Sequence, residues 1–133
     1  LNNNTIGDAG GAALADVLRV NGALKELHLG SNKIGDAGAV ALADALKVNA
    51  VLKDLYLSNN SIGSAGATAL AEALKVNAVL NKLWIGSNTV GDTSAKALAG
   101  MLSENASLET LDLYNNSIGE AGAVHVCRAK CLR

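Results

Sequence analysis

Residues 52–79 read LKDLYLSNNSIGSAGATALAEALKVNAV, and the rest of the chain repeats this stretch. Residues 24–51, LKELHLGSNKIGDAGAVALADALKVNAV, match it at 20 of 28 positions. A fixed period of this length is typical of a solenoid, in which each repeat packs against its neighbours. The 133 residues are therefore expected to form a single domain, consisting of a partial repeat 1–23, repeats 24–51, 52–79 and 80–107, and a divergent last repeat 108–133.

Each repeat divides into a strand and a helix. Leu55 and Leu57 flank Tyr56, and this alternation of period two predicts a short strand. From residue 63 onward the apolar positions follow helical spacing, at Ala67, Leu70, Ala71 and Leu74. Neither half can bury its apolar side alone. Stacked copies therefore predict an α/β solenoid, with a parallel β-sheet on the concave face and α-helices on the convex face.

Two columns of identical residues recur between strand and helix. The first column is formed by Asn4, Asn32, Asn60, Asn88 and Asn116. We predict that it is a structural ladder, in which each side chain forms hydrogen bonds with the backbone groups of the turn. The second column is formed by Gly7, Gly35, Gly63, Gly91 and Gly119. We expect these positions to need the backbone conformations that glycine adopts more readily than other residues.

Polar residues also mark both ends of each predicted helix. Residues suited to the positive first turn are Asp8, Asp36, Ser64, Asp92 and Glu120. Asparagines that are expected to stop the helices in the left-handed conformation are Asn21, Asn49, Asn77 and Asn105.

The pattern L-x-x-L-x-L-x-x-N-x-I-G resembles leucine-rich repeats, and the following G-A-x-A-L-A-x-A-L resembles their ribonuclease-inhibitor-like subclass. Residues 34–49, IGDAGAVALADALKVN, are most similar to repeats of NOD-like receptors. The resemblance implies a protein–protein interaction module without enzymatic activity, part of a longer cytoplasmic receptor or scaffold. Two alternatives stay open, because repeats of this kind also occur in GTPase-activating proteins that act on small GTPases, and because near-identical repeats fit a consensus-type array without a native partner.

Strand residues that do not enter the core face the concave surface, where a protein partner is expected to bind. The residues predicted to bind the partner are Glu26, His28, Asp54, Tyr56, Lys82, Trp84, Asp112 and Tyr114. They include all three aromatic residues of the chain. Because adjacent strands lie ~4.8 Å apart, we expect Tyr56 and Trp84 to be neighbours, with Trp84 exposed as an anchor. His28 beside Asp54 is interpreted as a surface pair.

Charge and composition argue against several other functions. The net charge of −1 and pI near 6.1 predict neither nucleic-acid nor membrane binding. No cofactor or metal is expected, because His125, Cys127 and Cys131 do not make up a four-ligand zinc site. The lack of cysteine-rich caps favours a cytoplasmic setting. We interpret the glycosylation sequons as structural, at Asn3, Asn59, Asn105 and Asn115.

The amino-terminal end is expected to support self-association. Residues 1–4 supply only the tail of a first strand, and Leu14, Val17 and Leu18 of the first helix then lack part of their cover. Lys130 and Arg133 place charge at the other end. An uncapped sheet edge is a template for another chain, so a homodimer through the amino-terminal end is expected.

Overall fold

Four helices alternate with four strands in the computed structural model, which describes residues 1–123. The elements, in chain order, are α1 (Gly7–Val20), β1 (Glu26–His28), α2 (Asp36–Leu46), β2 (Asp54–Tyr56), α3 (Ser64–Val76), β3 (Lys82–Trp84), α4 (Gly91–Glu104) and β4 (Thr110–Asp112). The strands form one parallel sheet in the order β1-β2-β3-β4. The α/β solenoid expected from the repeat is therefore confirmed.

The register of the sheet follows the repeat. Leu27 pairs with Leu55, and Leu55 pairs with Leu83, so each strand is displaced from the next by one whole repeat. Equivalent positions of successive repeats therefore lie side by side. Because of this register, residues that recur in every repeat form columns across the molecule.

The core lies between the sheet and the helices. In the repeat at residues 52–79, Leu55, Leu57, Ile62, Leu70 and Leu74 are all fully buried. Burying one such side chain contributes roughly 1.5–3 kcal/mol. Alanines at the intervening helical positions are buried as well, and their small side chains let each helix approach the sheet closely.

The asparagine after each strand bonds to the backbone of the neighbouring repeat. Asn60 Nδ2 donates to the Leu29 carbonyl at 3.0 Å and to the Leu57 carbonyl at 2.9 Å. Its Oδ1 accepts from the N–H groups of Asn32 at 3.0 Å and Ile34 at 2.9 Å. The same type of side-chain bonding is made by Asn32, Asn88 and Asn116, while Asn4 donates to the carbonyls of Leu1 and Asn2.

A second set of asparagines ends the helices, and here the left-handed prediction was wrong. Asn77 has φ −80° and ψ 122°, an extended conformation, and Asn21 and Asn105 are likewise extended. Asn77 Oδ1 accepts from the N–H groups of Val79 and Leu80 at 2.9 and 2.8 Å, and Nδ2 donates to the Leu46 carbonyl at 2.8 Å. Because the side chain itself closes the turn, no left-handed residue is needed.

Aspartates near the helix starts form a third ladder. Asp36 lies in the first turn of α2, yet its Oδ1 accepts from Gly63 N–H and Gly66 N–H of the next repeat, each at 2.8 Å. Equivalent bonds join Asp8 to Gly35 and Gly38, and Asp92 to Gly119. The aspartate of one repeat thus satisfies free N–H groups at the start of the following helix.

The third ladder is interrupted at Ser64, which occupies an aspartate position. Ser64 Oγ donates to the Val90 carbonyl at 2.7 Å instead of accepting from the next helix. The glycine that begins α4, Gly91, then adopts φ +74° and donates to the Asn116 carbonyl at 3.1 Å. Where an aspartate is present, the equivalent Gly63 has φ −100°.

The glycine column therefore does not share one backbone conformation. Gly7 and Gly91 have positive φ, as expected of a position that needs glycine. Gly35 and Gly63 have φ near −100°, so the permissive-backbone prediction was wrong there. An added Cβ at either would instead crowd the aspartate of the preceding repeat.

Candidate protein-binding face

We call the side of the sheet opposite the helices the open face. It carries three columns of residues. Between these columns the strand leucines Leu27, Leu55 and Leu83 turn inward and are buried, as the pleat requires. The open-face columns are Glu26, Asp54, Lys82 and Thr110; His28, Tyr56, Trp84 and Asp112; and Gly30, Ser58, Gly86 and Tyr114.

The middle column is a stack of rings. The centroids of His28 and Tyr56 lie 4.1 Å apart with an interplanar angle of 8°. Tyr56 and Trp84 follow at 5.8 Å and 11°. Because the rings occupy equivalent positions on adjacent strands, the sheet register holds their planes parallel. The result is a rigid aromatic surface that needs no loop to position it.

Charged side chains border the stack. Lys82 Nζ donates to Asp54 Oδ2 at 3.4 Å, and this hydrogen bond, with the attraction of the carboxylate, raises the pKa of Lys82 above its ordinary value. His28 Nε2 lies 3.5 Å from Glu26 Oε2. Within residues 1–123, the carboxylate that His28 contacts is therefore that of Glu26 on its own strand, whereas the sequence suggested a surface pair with Asp54.

Trp84 is less exposed than the sequence suggested. Its indole Nε1 is shielded from solvent and has no hydrogen-bond partner within residues 1–123, and the residue as a whole is half-buried. Tyr114, in contrast, is 77% exposed. Trp84 is thus one member of a packed stack, and Tyr114 is the freely projecting aromatic side chain of the open face.

Asp112 follows Trp84 in the middle column and has a different environment. Its Oδ1 accepts from Tyr114 N–H at 3.2 Å, and among the described residues it forms no ion pair. Its Oδ2 lies where a Cβ on Gly86 would stand, so glycine leaves the room that this carboxylate occupies. Sequence reasoning did not single out Gly86, although a glycine in an otherwise variable column was a signal.

Metal ligands and membrane-spanning helices are two further features that the sequence analysis considered. Within residues 1–123, no three His, Cys, Asp or Glu side chains come close enough to hold a metal ion. His125, Cys127 and Cys131 lie outside the described residues. None of the helices α1–α4 combines the length and apolar character needed to cross a bilayer.

Comparisons with known proteins agree with this architecture. A family model described as leucine-rich repeat matches residues 1–15, 23–43, 48–71, 76–99 and 104–127. The solved structure of leiomodin-1 actin-binding site 2 has a TM-score of 0.81 and 23% identity, covering 99% of this chain and 78% of that chain. A tropomodulin C-terminal domain from Caenorhabditis elegans has a TM-score of 0.80 and 14% identity, covering 99% and 81%. No curated protein matches the sequence.

Proposed function

This chain belongs to the leucine-rich repeat family, and we propose that it binds a protein partner through the open face. The observation that carries the proposal is the parallel stack of His28, Tyr56 and Trp84. Tyrosine and tryptophan are enriched at the centres of protein interfaces. Side chains held by a sheet also lose little conformational entropy when a partner binds.

The rim of the open face adds polar groups to the aromatic centre. Glu26, the Asp54–Lys82 pair and Asp112 surround the stack, an arrangement of apolar centre and polar rim that is common in interfaces. Tyr114 extends the aromatic surface at the β4 edge. This composition supports binding of a folded protein or of a peptide segment.

The test compares the intact chain with a triple variant, Tyr56→Ala, Trp84→Ala and Tyr114→Ala, against candidate partners. Actin is the first candidate, because leiomodin-1 actin-binding site 2 has the same fold. A matched control replaces three exposed helix-end valines by alanine, at Val20, Val48 and Val76. We expect the triple variant to raise Kd by about 30-fold or more and the control to leave it unchanged. Equal losses in the two variants would place binding elsewhere.

We further place the repeats in the ribonuclease-inhibitor-like subclass, near those of NOD-like receptors, within a longer cytoplasmic protein. The amino-acid sequence of residues 34–49 supports this assignment to the subclass. Cytoplasmic location can be tested by glycosidase treatment of natively expressed protein, because the sequon asparagines Asn3, Asn59 and Asn115 are exposed whereas Asn105 is buried. No mass change is expected, and a change would indicate passage through the secretory pathway.

Residues 1–123 offer little support for the alternative of a GTPase-activating regulator. Such a role calls for an arginine that reaches a bound nucleotide. Arg19, the arginine within residues 1–123, lies on α1 and pairs with Asp16 at 3.8 Å. Phosphate release from a panel of small GTPases, unchanged on adding the chain, is the expected result.

A further inference from the structure

We propose that the open face receives an arginine side chain of the partner, at a site formed by Trp84 and Asp112. This inference rests on the proposed function and specifies the chemistry of the partner. The guanidinium would lie against the face of the indole that Tyr56 leaves free, with its N–H groups directed at the Asp112 carboxylate. We call this site the arginine site.

The stack covers one face of the Trp84 indole and leaves the other without a ring partner within residues 1–123. The indole plane is within 11° of the Tyr56 plane, and Tyr56 covers the side toward β2. The other side faces β4, where the residue in register with Trp84 is Asp112. An aspartate side chain reaches less far from a sheet than an indole does. A planar group therefore has room against the outer part of that indole face, with the Asp112 carboxylate beside Gly86 at its edge.

Charge favours a cation at this position. The cation of the open face within residues 1–123, Lys82, is directed toward β2 by its bond to Asp54 at 3.4 Å. It does not neutralise Asp112, which lacks an ion pair among those residues. Glu26 adds a further carboxylate. Of the three carboxylates on this side of the sheet, that of Asp54 is buried and paired with Lys82. Within residues 1–123, those of Glu26 and Asp112 are left without a lysine partner.

Arginine fits the site better than lysine does. A guanidinium is planar, stacks on aromatic faces and can donate two parallel hydrogen bonds to a carboxylate. A lysine ammonium is a strongly hydrated point charge and lacks this planar match. The absence of a side chain at Gly86 already allows Asp112 Oδ2 to occupy the edge of the site.

The experiment uses the fluorescence of Trp84, the single tryptophan of the chain. The probe is an acetylated glycine–serine nonapeptide with one central arginine, titrated into the intact protein. Two further peptides carry citrulline, which is planar and neutral, or lysine at the same position. Asp112→Asn tests the carboxylate, and Asp16→Asn, which makes the same charge change on α1, is the control. Thermal melting confirms that each variant is folded.

The arginine peptide is expected to give a saturable fluorescence change, with a half-saturating concentration about tenfold lower than for citrulline and at least twofold lower than for lysine. Asp112→Asn should raise the half-saturating concentration of the arginine peptide about fivefold or more, and Asp16→Asn should leave that concentration unchanged. Equal binding of arginine and citrulline, or no saturable change with arginine, would overturn the arginine site. The proposed function would survive that result if a partner still lost affinity for the triple aromatic variant.

Discussion

Asn60 shows how a single residue connects two neighbouring repeats of the chain. It bonds to the backbone of residues 29–34 in the preceding repeat and to Leu57 in its own. Asn60→Ala should lower the free energy of unfolding by about 1–3 kcal/mol, because partly buried backbone groups lose their partners. Urea denaturation measures this loss. A change below a few tenths of a kcal/mol would mean that water replaces the amide.

Asn59, the adjacent residue, is exposed, and an exposed asparagine would ordinarily tolerate alanine. Its φ of 56° changes that expectation. In the left-handed region a Cβ without a compensating polar group costs roughly 1–2 kcal/mol. We expect Asn59→Ala to destabilise by about 1 kcal/mol and Asn59→Gly to be nearly neutral. Equal effects of alanine and glycine in the same urea experiment would contradict the backbone explanation and point to the bond from Asn59 Nδ2 to Ser31 Oγ.

The columns of the molecule were predictable from the sequence, but the partners of their side chains were not. Recurrence identified the aspartate of each helix start, and Asp36 does lie in the first turn of α2. Its hydrogen bonds nevertheless go to Gly63 and Gly66 of the next repeat. A repeat has the same period whether a side chain bonds within its own copy or to the adjacent copy, so the pattern alone cannot distinguish the two.

At the scale of the elements, the junction between α3 and α4 differs from the other helix junctions. Ser64 replaces the aspartate there, and the position facing it is Ser94, where the other repeats have Gly38, Gly66 and Gly122. A Cβ on Gly66 would come within 2.9 Å of Asp36 Oδ1. An aspartate therefore requires a glycine opposite, and the two serines are a matched exception.

The double variant Ser64→Asp with Ser94→Gly should restore the ladder and stabilise the chain by about 1 kcal/mol, since an aspartate would again bind free helix N–H groups. Ser94→Gly alone should destabilise the chain by about 1 kcal/mol, through lower helix propensity and loss of the hydrogen bond from Ser94 to the Val90 carbonyl. Ser64→Asp alone should raise the free energy of unfolding only slightly, because the new carboxylate would clash with the Cβ of Ser94. Thermal or urea unfolding of the four proteins gives the coupling energy, and additive effects would contradict the pairing.

The membership of the open face was predictable at this scale, because strand alternation and a fixed register determine which residues share a surface. Trp84 followed Tyr56 across the sheet for that reason. The burial of the Trp84 indole nitrogen was not predictable, since it depends on how closely parallel rings pack. The lack of an ion pair at Asp112 within residues 1–123 depends likewise on the direction that Lys82 takes.

For the whole molecule, the amino-terminal edge is the candidate seam for self-association. β1 is an edge strand of the sheet, and the nearby Val17 and Leu24 are 52% and 39% exposed. Leu18, which was expected to lack cover, is in fact buried. We expect the mean mass in light scattering to rise from monomer toward dimer across a hundredfold concentration range, because apolar groups and an unpaired edge can pair with a second copy.

Val17→Lys should shift this association to higher concentration by placing a charge at the seam. Val76→Lys is the control, because Val76 is 67% exposed at the end of α3, away from the β1 edge. A constant monomer mass for the unaltered chain would rule out the dimer. A mass that continues to grow with concentration would indicate open head-to-tail stacking instead.

The bonds between neighbouring repeats bear on how the protein folds while it is being synthesised. Amino-terminal repeats leave the ribosome first, and their aspartates then have acceptor groups ready for glycines that follow 27 residues later. Each new asparagine, in turn, reaches back to carbonyls of the repeat already made. Every repeat that emerges thus completes the one before it, and unsatisfied polar groups remain confined to the growing edge. Translation and folding can therefore advance together, one repeat at a time.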